Sequence, residues 1–135
     1  MRLKAGIGIS IAISLVLLAI VVASKYHENL ELQIIQVYQF DWTVEFTKDY
    51  LIANAGKWPN EWNDLEPSFN KLTASGACPW TFAEIGKNVS IAFSKEDGHF
   101  VLGKGVSNQY TTQRNKELTQ VALDEEKRAM SLNGK

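Results

Sequence analysis

Cysteine and histidine, which form disulfides and the commonest zinc sites, are scarce in this sequence. Its 135 residues include one cysteine, Cys78, and two histidines, His27 and His99, which lie far apart along the chain. A single cysteine excludes an internal disulfide framework. Cys78 could be a nucleophile, one half of an intermolecular disulfide or, as is commonest, a small apolar residue. Zinc-protease, paired-cysteine and hydrolase-nucleophile motifs are missing as well. We therefore predict no metal site, no cofactor and no enzymatic activity.

Clustered positive charge is also lacking. Of the 14 Lys and Arg residues, Arg2 and Lys4 lie at the N-terminus, which leaves 12 in the remainder against 15 Asp and Glu. The two signs are interspersed, whereas a nucleic-acid-binding surface needs Lys and Arg grouped together. The sequence predicts no nucleic-acid partner.

One glycine-rich stretch resembles a nucleotide-binding motif only in its spacing. GHFVLGKG, residues 98–105, has the glycines and the lysine of a phosphate-binding loop, but Gly105 stands where Ser or Thr would hold magnesium. The interior residues HFVL form a strand pattern, and no helix is predicted to open after Lys104. We interpret the stretch as part of a β-hairpin and predict no nucleotide partner.

The most distinctive feature present is a long apolar run near the N-terminus. Ala5 to Ser24 contains no charged residue, and a helix rising about 1.5 Å per residue would cover the roughly 30 Å of a bilayer core over this length. Arg2 and Lys4 precede the run. Because Lys and Arg favour the cytoplasmic side, the pattern predicts a single-pass membrane protein with a cytoplasmic N-terminus and an exported remainder.

The end of the run allows a second interpretation. Val21-Val22-Ala23 ends in small residues of the kind that signal peptidase accepts, so the run could be a cleaved signal peptide. Its apolar stretch is at or above the upper length of such segments, which favours an uncleaved anchor. Both interpretations export the rest of the chain.

Two periodicities compete in residues 26–55. Positions 40–47 alternate apolar and polar residues, as a strand does, while another apolar series recurs every three or four residues, as on a helix face. That series is Ile35, Tyr38, Trp42, Phe46 and Tyr50. The segment has no Gly or Pro over a length far beyond a usual strand. We therefore predict one long helix, with a transmembrane half followed by an amphipathic half.

The stretch GKWPNEWNDLEPSF, residues 56–69, predicts the corner at which this helix ends. Gly56 is placed to cap the helix in a left-handed conformation. Asn60 is then predicted to cap a new short helix. In this interpretation Trp62 packs against the aromatic face of the long helix, formed by Tyr38, Trp42 and Phe46.

The remaining residues predict an α+β fold. Residues 88–94 and 99–102 have strand patterns, and Gly98 between them suits a hairpin turn. Residues 113–132 are charged and weakly amphipathic, as in an exposed helix or a frayed tail. The predicted segments are a cytoplasmic N-tail and transmembrane helix (1–24), an amphipathic stalk helix (25–56), a small exported head with a short antiparallel hairpin or sheet (57–110), and a C-terminal helix or tail (111–135).

Two groups of residues are candidates for interactions. Trp58, Trp62 and Trp80 offer flat apolar rings suited to a sugar or a protein partner, although packing of the head is the favoured interpretation. Gly6, Ser10 and Ser14 are spaced by four in the apolar run. They could let a second membrane helix approach closely, in a homo- or hetero-oligomer, or could simply face lipid.

The order of these features resembles type IV pilins and the pseudopilins of type II secretion, in which a long N-terminal helix lies half in the membrane and half under a small β-sheet head. YLIANAGKWPNEWNDL, residues 50–65, is similar to the pseudopilin run where that helix ends and a short helix follows. Pilins carry a glutamate early in the mature helix, whereas the first acidic residue here is Glu28. WPNEWNDLEP and VSIAF are also similar to segments of uncharacterised single-pass proteins of planctomycete-type bacteria.

These observations predict a membrane-anchored, exported structural or assembly subunit without catalytic activity, and the resemblance implies a pilin-like arrangement. The alternative is an envelope-binding module that uses Trp58, Trp62 and Trp80 on a glycan or a protein partner.

Overall fold

A computed structural model describes the backbone of residues 2–94 and 98–134, and the side chains of residues 13–92 and 98–134. The α+β prediction is confirmed. In chain order the elements are α1 (Arg2–Ala53), a 3₁₀ turn (Trp62–Leu65), α2 (Glu66–Thr73), α3 (Phe82–Ile85), β1 (Val89–Ser94), β2 (Gly98–Gly103) and α4 (Asn108–Asn133).

The chain forms two compact units, one up to Ile34 and one from Ile35 onward. In the described part of the chain, the first unit consists of α1 alone. The second unit, which we call the head, contains the end of α1 and all other elements. Both of the predicted halves of the long helix belong to α1, so the strand interpretation of positions 40–47 is excluded.

Within the head, α1 supplies the centre of the core. Its fully buried apolar side chains are Phe40, Val44, Phe46 and Leu51. Thr43 and Thr47 are buried on the same helix, and their hydroxyls donate to the carbonyls of Gln39 (2.9 Å) and Thr43 (2.8 Å). Because each buried hydroxyl bonds the preceding helical turn, these polar groups are satisfied without a partner from another element.

Helix α1 ends in a left-handed turn of two residues. Ala55 has φ of 52° and Gly56 has φ of 81°, and the Gly56 N–H donates to the carbonyl of Leu51 at 2.8 Å. This bond spans six residues and identifies a Schellman cap, in which the residue before the donor is left-handed. The predicted left-handed Gly56 is confirmed, but Ala55 takes the position that glycine usually fills.

The short helix after the corner begins differently from the prediction. The Asp64 carboxylate accepts from the backbone N–H groups of Asn60 (2.8 Å) and Glu61 (3.2 Å). Asn60 therefore donates its backbone N–H to the turn and is not its cap, because Asp64 reaches back over the first residues. Pro67 lies in the first turn of α2, where its missing N–H costs nothing.

Helix α3 was not predicted, although the sequence carries its signature. The Thr81 hydroxyl accepts from the Glu84 N–H at 3.3 Å, and the Glu84 carboxylate accepts from the Thr81 N–H at 2.7 Å. This reciprocal arrangement is a capping box, encoded by Thr-x-x-Glu in TFAE. The Thr81 backbone N–H and, at 2.9 Å, the Thr81 hydroxyl both donate to the Glu84 carboxylate, and these two bonds, the backbone one first, lower the pKa of Glu84.

Strands β1 and β2 form the predicted antiparallel hairpin, with Ile91 opposite Val101. Gly98 has φ of 75°, as expected for the turn, while residues 95–97 of the predicted turn lie outside the described residues. The outer edge of β2 is closed by a side chain of α4. Asn115 accepts from the Val101 N–H (2.7 Å) and donates to the Val101 carbonyl (2.9 Å), as a neighbouring strand would.

Helix α4 confirms the predicted C-terminal helix and excludes a frayed tail, but two of its side chains are buried in the core. It begins at Asn108, five residues before the predicted start, and the Ser107 hydroxyl accepts from the Tyr110 N–H at 3.3 Å. Leu118 is fully buried and Ala122 is 7% exposed. Sequence periodicity missed this because only a narrow stripe of the helix faces the core.

Candidate functional site

The three candidate tryptophans are half-buried and pack against the core of the head. The ring of Trp62 stacks on Phe82, with centroids 4.8 Å apart and planes at 17°. Phe82 in turn contacts Phe69 (5.3 Å), and Phe69 meets Phe46 of α1 edge-on (5.2 Å). Trp62 thus reaches the long helix through two phenylalanines. Of the predicted aromatic face, these ring contacts reach Phe46, while Tyr38 is 58% exposed and takes no part in them.

The indole nitrogen of Trp62 points into the interior of the head. Its Nε1 is buried and has no hydrogen-bond partner among the described residues. A Cβ added to Gly86 would lie 2.8 Å from this nitrogen, so glycine at that position makes room for the indole. The N–H that a sugar or peptide would use on an exposed tryptophan is inside the head at this position.

The other two tryptophans lie at the borders of the core. Trp58 stacks on His99 of β2, with centroids 5.5 Å apart and planes at 14°. Trp80 accepts, through its carbonyl, a 3.5 Å hydrogen bond from the Sγ of half-buried Cys78. The ring contacts of Trp58 and Trp62 are with His99 and Phe82, and not with each other or with Trp80. A binding role for the three tryptophans stays a prediction.

A cluster of charged residues joins α1 to α4. The guanidinium of Arg114 lies 3.4 Å from Asp41, 3.1 Å from Glu45 and 2.5 Å from Glu117, and its side chain is 19% exposed. Burial alone lowers the pKa of Arg114, but Glu117, Glu45 and Asp41 outweigh it, so that the pKa is raised. One cation thus neutralises part of the charge of three carboxylates. The cluster ties the two helices together.

Tyr110 extends this cluster and makes it sensitive to alkaline pH. Its hydroxyl donates to Asp41 at 2.7 Å, and this hydrogen bond, then burial and the charge of Asp41, raise the pKa of Tyr110. A raised pKa in the folded state means that the contribution to stability is complete below the unfolded value of about 10 and is lost as the pH rises through the folded value.

We therefore expect Tyr110→Phe to flatten the alkaline limb of the stability profile. The parent should lose free energy of unfolding more steeply than the variant above about pH 10, because only the parent releases the phenolic proton. Chemical unfolding across pH 8 to 11 in detergent micelles measures this, with exposed Tyr38→Phe as the matched control. Equal slopes for parent and Tyr110→Phe would contradict the role of the Asp41 hydrogen bond.

A groove of about 300 Å³ lies between β2 and α4. We call it the outer-face groove, because it opens on the side of the hairpin away from buried Val101. The residues that line it come from β2 and α4: His99, Phe100, Leu102, Asn108, Thr111, Thr112, Asn115, Lys116 and Thr119. Sequence reasoning did not find it, since its two walls come from a strand and a helix that are joined only by folding.

The described residues contain no group of three or more His, Cys, Asp or Glu that could hold a metal ion. Of the candidates for membrane-helix packing, Gly6 and Ser10 have side chains outside the described residues. Ser14 lies on α1, and its role in packing stays a prediction.

Comparison with known proteins gives no relative. No family model, no curated protein and no solved structure matches the chain. The resemblance to pilins, pseudopilins and planctomycete-type membrane proteins therefore stays a prediction from the sequence.

Proposed function

We propose that this chain is a single-pass membrane protein with a cytoplasmic N-terminus. Its exported head then acts as a structural or assembly subunit without catalytic activity. In the described part of the chain, α1 is the one helix long and apolar enough to cross a membrane, a property that signal sequences share. Two positive charges before the apolar run, Arg2 and Lys4, against Lys25 alone in the twenty residues after it, support the orientation.

The observation that carries the proposal is the exposure of large apolar side chains on every side of α1 between Ile13 and Val22. The eight between Ile13 and Val22 are each 52% to 61% exposed. Because consecutive helical residues point about 100° apart, side chains at 15, 16, 17 and 18 cover every face. A helix that is apolar on all faces and uncovered by its own chain is stable in lipid and costly in water.

The same helix explains a structural role for the head. From residue 39 to residue 51, α1 carries the centre of the head's core, so the membrane segment and the core belong to one element. Any oligomer formed through the N-terminal helix would therefore involve an element that is also central to the head. This is the arrangement expected of an assembly subunit, and Gly6, Ser10 and Ser14 are the proposed contacts in the bilayer.

Alkaline carbonate extraction of membranes from expressing cells tests the anchor. We expect the full chain to remain in the membrane pellet. Replacing Leu17 and Val21 with arginine should shift it to the supernatant, because each charge near a helix centre costs about 2.5–3.5 kcal/mol for insertion.

The matched control is the same pair of arginines at Ile52 and Leu123, two exposed apolar residues of the head. These should leave the chain in the pellet. Release of the parent chain by carbonate, or a shortened mature chain that has lost the apolar run, would overturn the proposed anchor.

A further inference from the structure

The outer-face groove forms because the paired side chains on one face of the hairpin differ in size. Phe100 and Leu102 of β2 project from the face opposite Val101, where their partners on β1 are the small residues Ala92 and Ser90. The small partners leave Phe100 and Leu102 uncovered on one side, and Leu102 is 43% exposed. Helix α4 forms the other wall, so an apolar floor meets a polar wall.

Some polar side chains of the α4 wall are used in hydrogen bonds within the head, and others are not. Asn115 is fully used by Val101 and by the carbonyl of Thr111, and the Thr119 hydroxyl donates to the carbonyl of Asn115. In contrast, the side chains of Thr112 and Lys116 are exposed and make no hydrogen bond or ion pair with any residue that the structure describes. They present a hydroxyl and an ammonium beside the apolar floor.

Several classes of ligand fit this chemistry poorly. A metal ion would need carboxylates or imidazoles, and the groove has one histidine, already stacked on Trp58. Nucleic acid would need several positive charges where the groove has one. An extended peptide would pair with the edge of β2, but Asn115 occupies the N–H and the carbonyl of Val101. A wholly apolar ligand would leave the hydroxyls and the ammonium unused.

We infer that the outer-face groove binds a single saccharide unit that carries a carboxylate. The apolar face of the sugar ring lies over Phe100 and Leu102, its hydroxyls meet Thr111 and Thr112, and its carboxylate meets Lys116. Aromatic rings beside hydroxyl and amide groups suit a sugar, which has one apolar face and a polar rim. A volume of about 300 Å³ is at the small end of ligand pockets, as expected for one or two rings.

This inference is independent of the membrane anchor, so the two can fail separately. It also moves the glycan-binding role away from the three tryptophans, of which only Trp58 comes near the groove, through its contact with His99. That contact makes tryptophan fluorescence a reporter of occupancy.

The experiment titrates the full chain with N-acetylmuramic acid and with its neutral counterpart N-acetylglucosamine. The protein is held in lauryldimethylamine oxide, because glycoside detergents would compete for a sugar site. Tryptophan fluorescence and titration calorimetry report binding. We expect saturable binding of both sugars, with the acid binding more tightly.

Two variants locate the site, and one controls for charge. Lys116→Gln should weaken binding of the acid by about threefold, the effect of one exposed ion pair, and leave the neutral sugar unchanged. Thr112→Val should weaken both sugars. Lys127→Gln, the same charge change on an exposed residue of α4 outside the groove, should have no effect.

Absence of saturable binding by either sugar would overturn the inference. Equal affinities of the parent, Lys116→Gln and Thr112→Val would also overturn it, because binding would then occur elsewhere on the head.

Discussion

Replacing Gly56 with alanine should destabilise the head by about 2–5 kcal/mol, the sum expected for a left-handed residue with a side chain and for overpacking. Gly56 has φ of 81°, and a Cβ there would lie 2.2 Å from the carbonyl oxygen of Ala122 and 3.0 Å from the N–H nitrogen of Glu126. Both atoms belong to the backbone of α4, which cannot rotate away as a side chain can. The end of α1 and helix α4 would have to separate.

The neighbouring residue provides the matched control. Ala55 also has positive φ, at 52°, but carries a side chain already. Ala55→Gly removes the left-handed strain and should stabilise the head by up to about 1 kcal/mol. Chemical unfolding of the full chain in micelles, followed by tryptophan fluorescence, measures both. We expect Gly56→Ala to lower the free energy of unfolding and Ala55→Gly to raise it. A Gly56→Ala variant as stable as the parent would show that the corner does not pack as described.

Truncating Trp62 to alanine is the second change with a large expected effect. It would remove the stacking partner of Phe82 and leave a cavity beside Gly86. Because Trp62 is half-buried, we expect a loss of about 3 kcal/mol, the lower end for aromatic residues in cores. A small domain is stable by about 5–15 kcal/mol, so this loss should lower the midpoint of thermal unfolding clearly.

Trp62→Phe distinguishes the contribution of the aromatic ring to stability from that of the indole nitrogen. Since the Nε1 has no partner among the described residues, phenylalanine loses no hydrogen bond and should cost much less than alanine. Thermal unfolding of the full chain compares the two variants. If Trp62→Ala melted like the parent, the tryptophan would belong to a binding surface and not to the packing of the corner.

Local signals explain why much of the fold could be predicted from the sequence. The uncharged run from Ala5 to Ser24, the absence of Gly and Pro between Lys25 and Ala53, and the apolar spacing continuing through Phe46 all favour one helix over its whole length. The hairpin follows from Val, Ile and Phe at alternate positions of β1 and from Gly98 in the turn. Each signal lies within a few residues of the structure that it specifies.

Contacts between distant segments explain what could not be predicted. The position of Arg114 among carboxylates of α1 depends on which faces of α1 and α4 meet, and no spacing along the chain contains that information. The burial of Leu118 has the same origin. Asn60 was assigned a capping role from residue preference, but Asp64 satisfies the first N–H groups instead.

The candidate sites likewise combine residues that the sequence could identify with contacts that only the folded chain reveals. The tryptophans could be named from the sequence, whereas their pairing with Phe82 and His99 required the folded chain. The outer-face groove has no sequence signature, because Phe100 and Thr112 become neighbours only when α4 packs against β2.

Single-cysteine labelling of topology tests the central claim, that the head is exported behind an N-terminal membrane anchor. In a Cys78→Ser background, one cysteine is placed at exposed Ser75 in the head and, in a second chain, one at Leu3 before the apolar run. Both chains are treated in intact spheroplasts with a membrane-impermeant maleimide. The account predicts labelling of Ser75→Cys in intact spheroplasts and of Leu3→Cys only after permeabilisation; protection of Ser75→Cys until permeabilisation would contradict it.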